Sequence, residues 1–305
     1  MRIAFAGSPA AAATVLERLL AHGHEVAVVL TQPDRPRGRR GTPTPTDVGA
    51  MAIERGLDLW RPASINAPEV LDDLRTANVG ALCVAGYGQL LKADVLAGWP
   101  CLNVHFSLLP AYRGAAPVER ALMDGVAETG VTIMRMEAGL DTGPIIATAT
   151  RPIGTDDDAG VLLHDLAVSG GDLLSQVLDQ MSPGQEPVAT AQPEDGVSHA
   201  AKILDDDIRL DLRRSPREIV NQIRALSPHI GARLTIGGEP FKIWRASVVD
   251  VDREHDTSGW IASGRLFLPC GDGVIEIHEI QPPSRSRMPT DAFARGWRGR
   301  LDLHT

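Results

Sequence analysis

Asn103 and His105 lie two residues apart in Cys101-Leu-Asn-Val-His-Phe-Ser-Leu-Leu-Pro-Ala-Tyr-Arg-Gly-Ala-Ala-Pro117. Successive strand residues point to opposite faces, so this amide and this imidazole project together while Leu102, Val104 and Phe106 face the other way. A Leu-Leu-Pro turn and a glycine follow, which puts the pair at the C-terminal edge of the strand, where open α/β sheets bind their ligands. A buried strand that closes on a hydrogen-bonded histidine accounts for the same residues. Asp141, in Gly139-Leu-Asp-Thr-Gly-Pro144, is open in the same way. It is a turn former between glycines or, if its loop lies beside His105, the carboxylate that sets the imidazole tautomer and stabilises its cation.

The elements that must position these groups read as an alternating α/β chain. Arg2–Ala6 is a buried strand, Ser8 a candidate N-cap with Pro9 at the first helical position, and Val26–Leu30 the next strand. Gly7-Ser8-Pro9 is not the dinucleotide fingerprint, because proline occupies the place of the glycine that lets pyrophosphate approach. Ala81–Ala85 is a continuous apolar run suited to a central parallel strand, ending in Gly86-Tyr87-Gly88, with a helix expected from near Gln89. Pro117–Leu122, Val131–Met136, Ile145–Thr150 and Asp158–Met181 continue as helix, strand, strand and long helix. Between residues 31 and 46, prolines and glycines argue against regular structure, and Arg35, Arg37, Arg39 and Arg40 face a single Asp34. Such a loop is a solvated surface or a phosphate contact.

Residues 182–207 are rich in Pro, Gln, Glu and Asp and read as a linker. Beyond it come a helix at Pro216–Leu226 and five short strands between Gly and Asp turns, the pattern of a small antiparallel barrel. The chain of 305 residues is long enough for two domains. Its net charge of −9 is uneven: residues 1–205 carry 15 Lys and Arg against 25 Asp and Glu, and residues 206–305 carry 15 against 14. Nucleic-acid binding would therefore be carried by local patches. No apolar run approaches the roughly 20 residues of a membrane helix. Cys83, Cys101 and Cys270 lack metal-ligand spacing and read as reduced thiols in a cytoplasmic protein.

In these motifs the chain resembles the methionyl-tRNA formyltransferase family. The matches, in order, are Phe5-Ala-Gly-Ser-Pro9, Thr31-Gln-Pro-Asp-Arg-Pro36, Asn103-Val-His105 with Ser107-Leu-Leu-Pro110, Arg113-Gly-Ala-Ala-Pro117, Glu128-Thr-Gly-Val-Thr-Ile133, Gly139-Leu-Asp-Thr-Gly143 and Lys242-Ile-Trp-Arg-Ala246. They span nearly the whole length. The resemblance implies an α/β fold: a Rossmann-like formyltransferase domain over residues 1–190, a linker over 191–206 and an OB-like C-terminal β-barrel domain over 207–305 that binds tRNA. It implies formyl transfer from 10-formyltetrahydrofolate to the α-amino group of methionine on initiator tRNA, with no metal. Asn103, His105 and Asp141 match the catalytic trio. Ser107, Leu108, Leu109 and Pro110 match the folate loop, and Arg39, among Arg35, Arg37, Arg39 and Arg40, matches an arginine that contacts the acceptor arm. A cytoplasmic monomer with no membrane attachment is the expectation.

Three departures stand out. Phe106 occupies a position where the family commonly has glycine, so it either packs into the core or narrows the site. Gly86 replaces a common alanine, and Arg40-Gly-Thr-Pro-Thr-Pro45 differs from the usual continuation of the loop. The competing functions are a formyltransferase for a sugar-nucleotide amine or glycinamide ribonucleotide, an RNA-binding relative without activity, and a nicotinamide oxidoreductase. The missing phosphate loop disfavours the ribonucleotide and nicotinamide readings, and joint retention of Asn103, His105 and Asp141 disfavours an inactive relative.

Overall fold

The computed structural model describes residues 1–36, 41–181, 186–251, 258–297 and 301–304. Its chain divides into two compact units, one of residues 1–114, 128–152 and 163–199 and the other of 115–127, 153–162 and 200–305. Among the described residues no helix is long and apolar enough to cross a membrane.

The first unit opens β1 (Arg2–Gly7), α1 (Ala10–Ala21), β2 (Glu25–Leu30), α2 (Asp47–Glu54), β3 (Leu59–Trp60), α3 (Pro68–Thr76), β4 (Leu82–Ala85), α4 (Ala93–Gly98) and β5 (Cys101–His105). After α5 (Pro117–Asp124), which belongs to the second unit, the chain returns as β6 (Glu128–Arg135) and β7 (Ile145–Pro152) and runs into α6 (Ala159–Gln180). The seven strands lie in the order β7-β6-β5-β4-β1-β2-β3. From β5 through β3 they are parallel, and β6 runs antiparallel to both β5 and β7. Strand order reverses between β1 and β4, the Rossmann-like arrangement that leaves a crevice at the carboxyl ends. Ile3 to Ala6 and Leu82, Cys83 and Ala85 are wholly buried, as expected of strands covered on both faces.

The alternation in β5 is as its sequence requires. Leu102 and Val104 join the core formed with α1 and α6, and Phe106 packs against that same core, whereas Cys101 lies in the core on the opposite face. Phe106 therefore fills the core behind the strand. Three local expectations are corrected. Pro9, not Ser8, is the N-cap residue of α1. The helix expected from Gln89 starts only at Ala93, because the Gln89 side chain instead accepts from the Ile65 amide at 2.8 Å. The 31–46 segment contains regular pairing, Arg35–Pro36 against Pro43–Thr44.

The second unit contains α7 (Pro216–Leu226), then β8 (Ala232–Ile236), β9 (Glu239–Val249), β10 (Trp260–Ala262), β11 (Arg265–Cys270), β12 (Gly273–Gln281), β13 (Met288–Pro289), α8 (Thr290–Gly296) and β14 (Leu303–His304). Ser215 and Glu218 close a capping box at the start of α7, which explains its sharp sequence boundary. The strands pair antiparallel in the order β10-β11-β12-β9-β8-β14, with β13 on β12. The two ends of this path meet at one isolated bridge, Ser258 with Asp302. The helix α8 was not expected from the sequence.

Candidate active site

Asn103 and His105 emerge where β5 ends, with β4 on one side and β6 on the other. They are 9% and 5% exposed. Thr132 of β6 lies opposite His105 and organises the turn that follows: its hydroxyl donates to the Ser107 carbonyl at 2.7 Å and accepts from the Leu109 amide at 3.1 Å. Ser107 is fully buried, and its hydroxyl donates to the Ala111 carbonyl at 2.6 Å. The Leu109–Pro110 peptide in this turn is cis. Leu109 is buried and Leu108 and Pro110 are half-buried, so the segment offers an apolar wall.

The imidazole is held from two directions. His105 Nε2 lies 2.9 Å from the Tyr112 carbonyl oxygen, and Nδ1 lies 3.7 Å from Asp141 Oδ2. Because a carbonyl only accepts, Nε2 carries the hydrogen, and Nδ1 is the nitrogen that gains or loses a proton beside the carboxylate. The tautomer is thus set by Tyr112, a backbone group, while Asp141 faces the charge of the protonated ring. Asp141 Oδ2 also accepts from the Gly114 amide at 2.9 Å. Asp141 adopts φ of 53°, in the left-handed region. Two residues on, a Cβ at Gly143 would collide with the Arg135 carbonyl oxygen, so only glycine lets this loop close against β6.

Asn103 differs from its neighbours. Its side-chain amide makes no hydrogen bond among the described residues and keeps a little exposure, 9%, at the strand end. An amide that keeps contact with solvent at a strand end can exchange that contact for a ligand.

On the same sheet edge a cavity of about 380 Å³ is lined by Ser8, Gln32, Arg35, Thr46, Tyr87 and flanking residues. It lies at the strand-order reversal, between the ends of β1, β2 and β4. Ser8, free of capping duty, accepts from the Gln32 amide at 3.3 Å here, and the Gln32 side chain donates to the Tyr87 carbonyl at 3.1 Å. Gly86 has φ of 53°, which alanine would adopt only with strain, and a Cβ there would sit 3.0 Å from Pro9 Cγ. Arg35 is exposed at this cavity. Arg37, Arg39 and Arg40 lie outside the described residues.

The structure therefore brings together Asn103, His105, Asp141 and the 107–110 turn, with Arg35 at the neighbouring cavity. Sequence reasoning missed Tyr112, Thr132 and Gln192. Gln192 Nε2 donates to the carbonyls of Asp141 and Gly143 at 2.8 and 2.7 Å. Nothing in its surroundings, Ala191-Gln-Pro-Glu, distinguishes it from linker composition.

Residues 1–178 match the formyl transferase family and residues 202–298 the formyl transferase C-terminal domain. A methionyl-tRNA formyltransferase of Bordetella petrii is 40% identical over 311 residues, covering 97% of each chain. One from Ruegeria pomeroyi is 40% identical over 299 residues, again with 97% of each chain covered. The fold is shared with a sugar 3N-formyl transferase crystallised in the presence of dTDP and 5-N-formyl-THF, with a TM-score of 0.65 at 20% identity, over 94% of this chain and 99% of that one.

Proposed function

The chain belongs to the methionyl-tRNA formyltransferase family, and from that premise we propose how its site carries a formyl group from 10-formyltetrahydrofolate to the α-amino group of methionine on initiator tRNA. The carrying observation is that the Asn103 amide opens on the same strand face as His105, with the Asp141 carboxylate 3.7 Å from His105 Nδ1. An α-amino group has a pKa of about 7.7 to 8.0, so a useful fraction is neutral near pH 7 and attacks without a strong base. Its nitrogen bonds to the formyl carbon, and the carbonyl electrons collect on oxygen. Asn103 donates to that oxyanion, a role worth about 2.7–4 kcal/mol in a preorganised site. As the bond from carbon to the folate nitrogen breaks, that nitrogen takes up a proton and the attacking nitrogen gives one up. His105 Nδ1, facing Asp141, is suited to this exchange because the carboxylate stabilises the imidazolium between the two transfers.

Leu108, Leu109 and Pro110 supply an apolar wall next to His105 that suits the flat rings of a folate. Ser107, its hydroxyl already engaged, shapes that turn rather than reaching the ligand. We assign the cavity at Ser8, Gln32 and Arg35 to the acceptor side, and the charge of Arg35, Arg37, Arg39 and Arg40 in the same segment suits the phosphates of the acceptor arm. We assign residues 1–190 to catalysis, 191–206 to the connection and 207–305 to an OB-like domain that holds the tRNA. Cys83, Cys101 and Cys270 are buried and outside any disulfide, which fits a reducing cytoplasm.

The test is to incubate the protein with 10-formyltetrahydrofolate and methionylated initiator tRNA and measure formylmethionine. Formylation of a sugar-nucleotide amine with the tRNA left untouched would overturn the reading. Arg39→Ala is expected to raise KM for the tRNA more than for the folate, and equal changes would remove the loop from the proposal.

A further inference from the structure

Two residues near His105, Tyr112 and Asp141, have left-handed backbones without being glycine, with φ of 59° and 53°. Such conformations cost free energy and persist only where surrounding contacts over-determine them. Both sets of contacts come from one short stretch, residues 192–198. Gln192 Nε2 takes the carbonyls of Asp141 and Gly143, while its Oε1 accepts from Arg113 Nε at 3.0 Å and Nη2 at 2.6 Å. Ser198 Oγ accepts from the Tyr112 amide at 2.9 Å, and the Ser198 carbonyl accepts from the Arg113 amide at 2.9 Å. Arg113 itself stands between Tyr112, whose carbonyl orients His105, and Gly114, whose amide holds the Asp141 carboxylate.

We propose that Gln192 is a positioning residue for formyl transfer: it ties the Asp141 loop to Arg113 and thereby sets the carboxylate against His105 Nδ1. Ser198 secures the other end of the same strap, at Tyr112. This rests on the assignment of His105 and Asp141 in the preceding section. The side-chain amide of Gln192 is used at both ends, two donations to loop carbonyls and an acceptor for a guanidinium, so no other side chain of its length reproduces the pattern. Losing the donations frees the Asp141 backbone to leave its strained conformation, and the carboxylate moves with it.

The experiment compares Gln192→Met and Gln192→Glu in the wild-type background and in Asp141→Asn, with active-site titration and thermal midpoints measured for each. Gln192→Glu retains an acceptor for Arg113 and loses both donations, so it carries the test if the methionine variant does not fold. Each is expected to lower kcat about tenfold to a hundredfold per folded molecule, the cost of misplacing a catalytic group. KM for folate and tRNA should stay within about twofold, because a positioning residue acts through the Asp141 loop and not on substrate binding. In the Asp141→Asn background the same changes should cost less than about threefold, because residues acting as one unit are non-additive. Unchanged kcat, or an equal fall in both backgrounds, overturns the proposal. Wild-type turnover in Asp141→Asn alone would instead overturn the site assignment, a result read without any Gln192 variant.

Discussion

Around His105, shape is maintained by polar side chains bonded to loop backbone, whereas the C-terminal sheet is held by packed aromatic rings. In the second unit Phe241 is 1% exposed and meets Phe293 and Trp297 edge-on, with centroids 5.8 and 5.7 Å apart. In the first, Thr132, Ser107, Gln192 and Ser198 each spend their polar atoms on the turns that carry the site. Hydrogen bonds are directional and each contributes modestly to net stability, while the burial of apolar ring surface is non-directional and contributes more. The difference teaches that orientation, and not burial, limits the site, so damage there should be read in turnover and damage to the second core in stability.

His105→Ala is the strongest attack on that contrast. Turnover should fall by about 10⁴-fold, the upper end for an acid–base residue, with the thermal midpoint nearly unmoved. A variant that loses its fold along with its activity would erase the distinction. Phe241→Ala tests the other side: urea unfolding should show a loss of about 3–5 kcal/mol, with kcat per folded molecule preserved at low temperature. Asn103→Ala sharpens the division within the site, since removal of one oxyanion donor should lower kcat about 10²–10³-fold. Having no protein partner to abandon, this change should leave stability unaffected or slightly raised.

The smallest effect is a pH dependence far from the site. His24 is 5% exposed, with Nε2 2.8 Å from Ser175 Oγ and Nδ1 3.2 Å from the terminal ammonium. Burial first, and then that ammonium, hold its pKa below the ordinary value of 6.5. The unfolded chain therefore binds the proton before the folded one does, and stability present above about pH 6.5 declines as pH falls below it. Urea midpoints measured across this window should fall toward acid in the wild type and flatten in His24→Gln. An unchanged slope would show that another group controls it.

Residue pattern alone located several elements closely. Pro216–Leu226 and Ala232–Ile236 were legible to the residue because a capping box and strict alternation are local signals. The common face of Asn103 and His105 followed from a period of two. Other features were not legible. Ser8 has the composition of a cap and instead serves the cavity, and α8 is too short, at seven residues, to show periodicity.

Sequence by itself determined which residue types this chain brings to chemistry and on which face of β5 they stand, since both are properties of neighbouring positions. Only the tertiary structure decided how they are held. The tautomer of His105 depends on the carbonyl of Tyr112, and a carbonyl is the same at every position, so no residue name announces it. Gln192 meets Asp141 across 51 positions and Arg113 across 79. Contacts at that separation arise from how the loops close over the sheet edge, which no local pattern encodes.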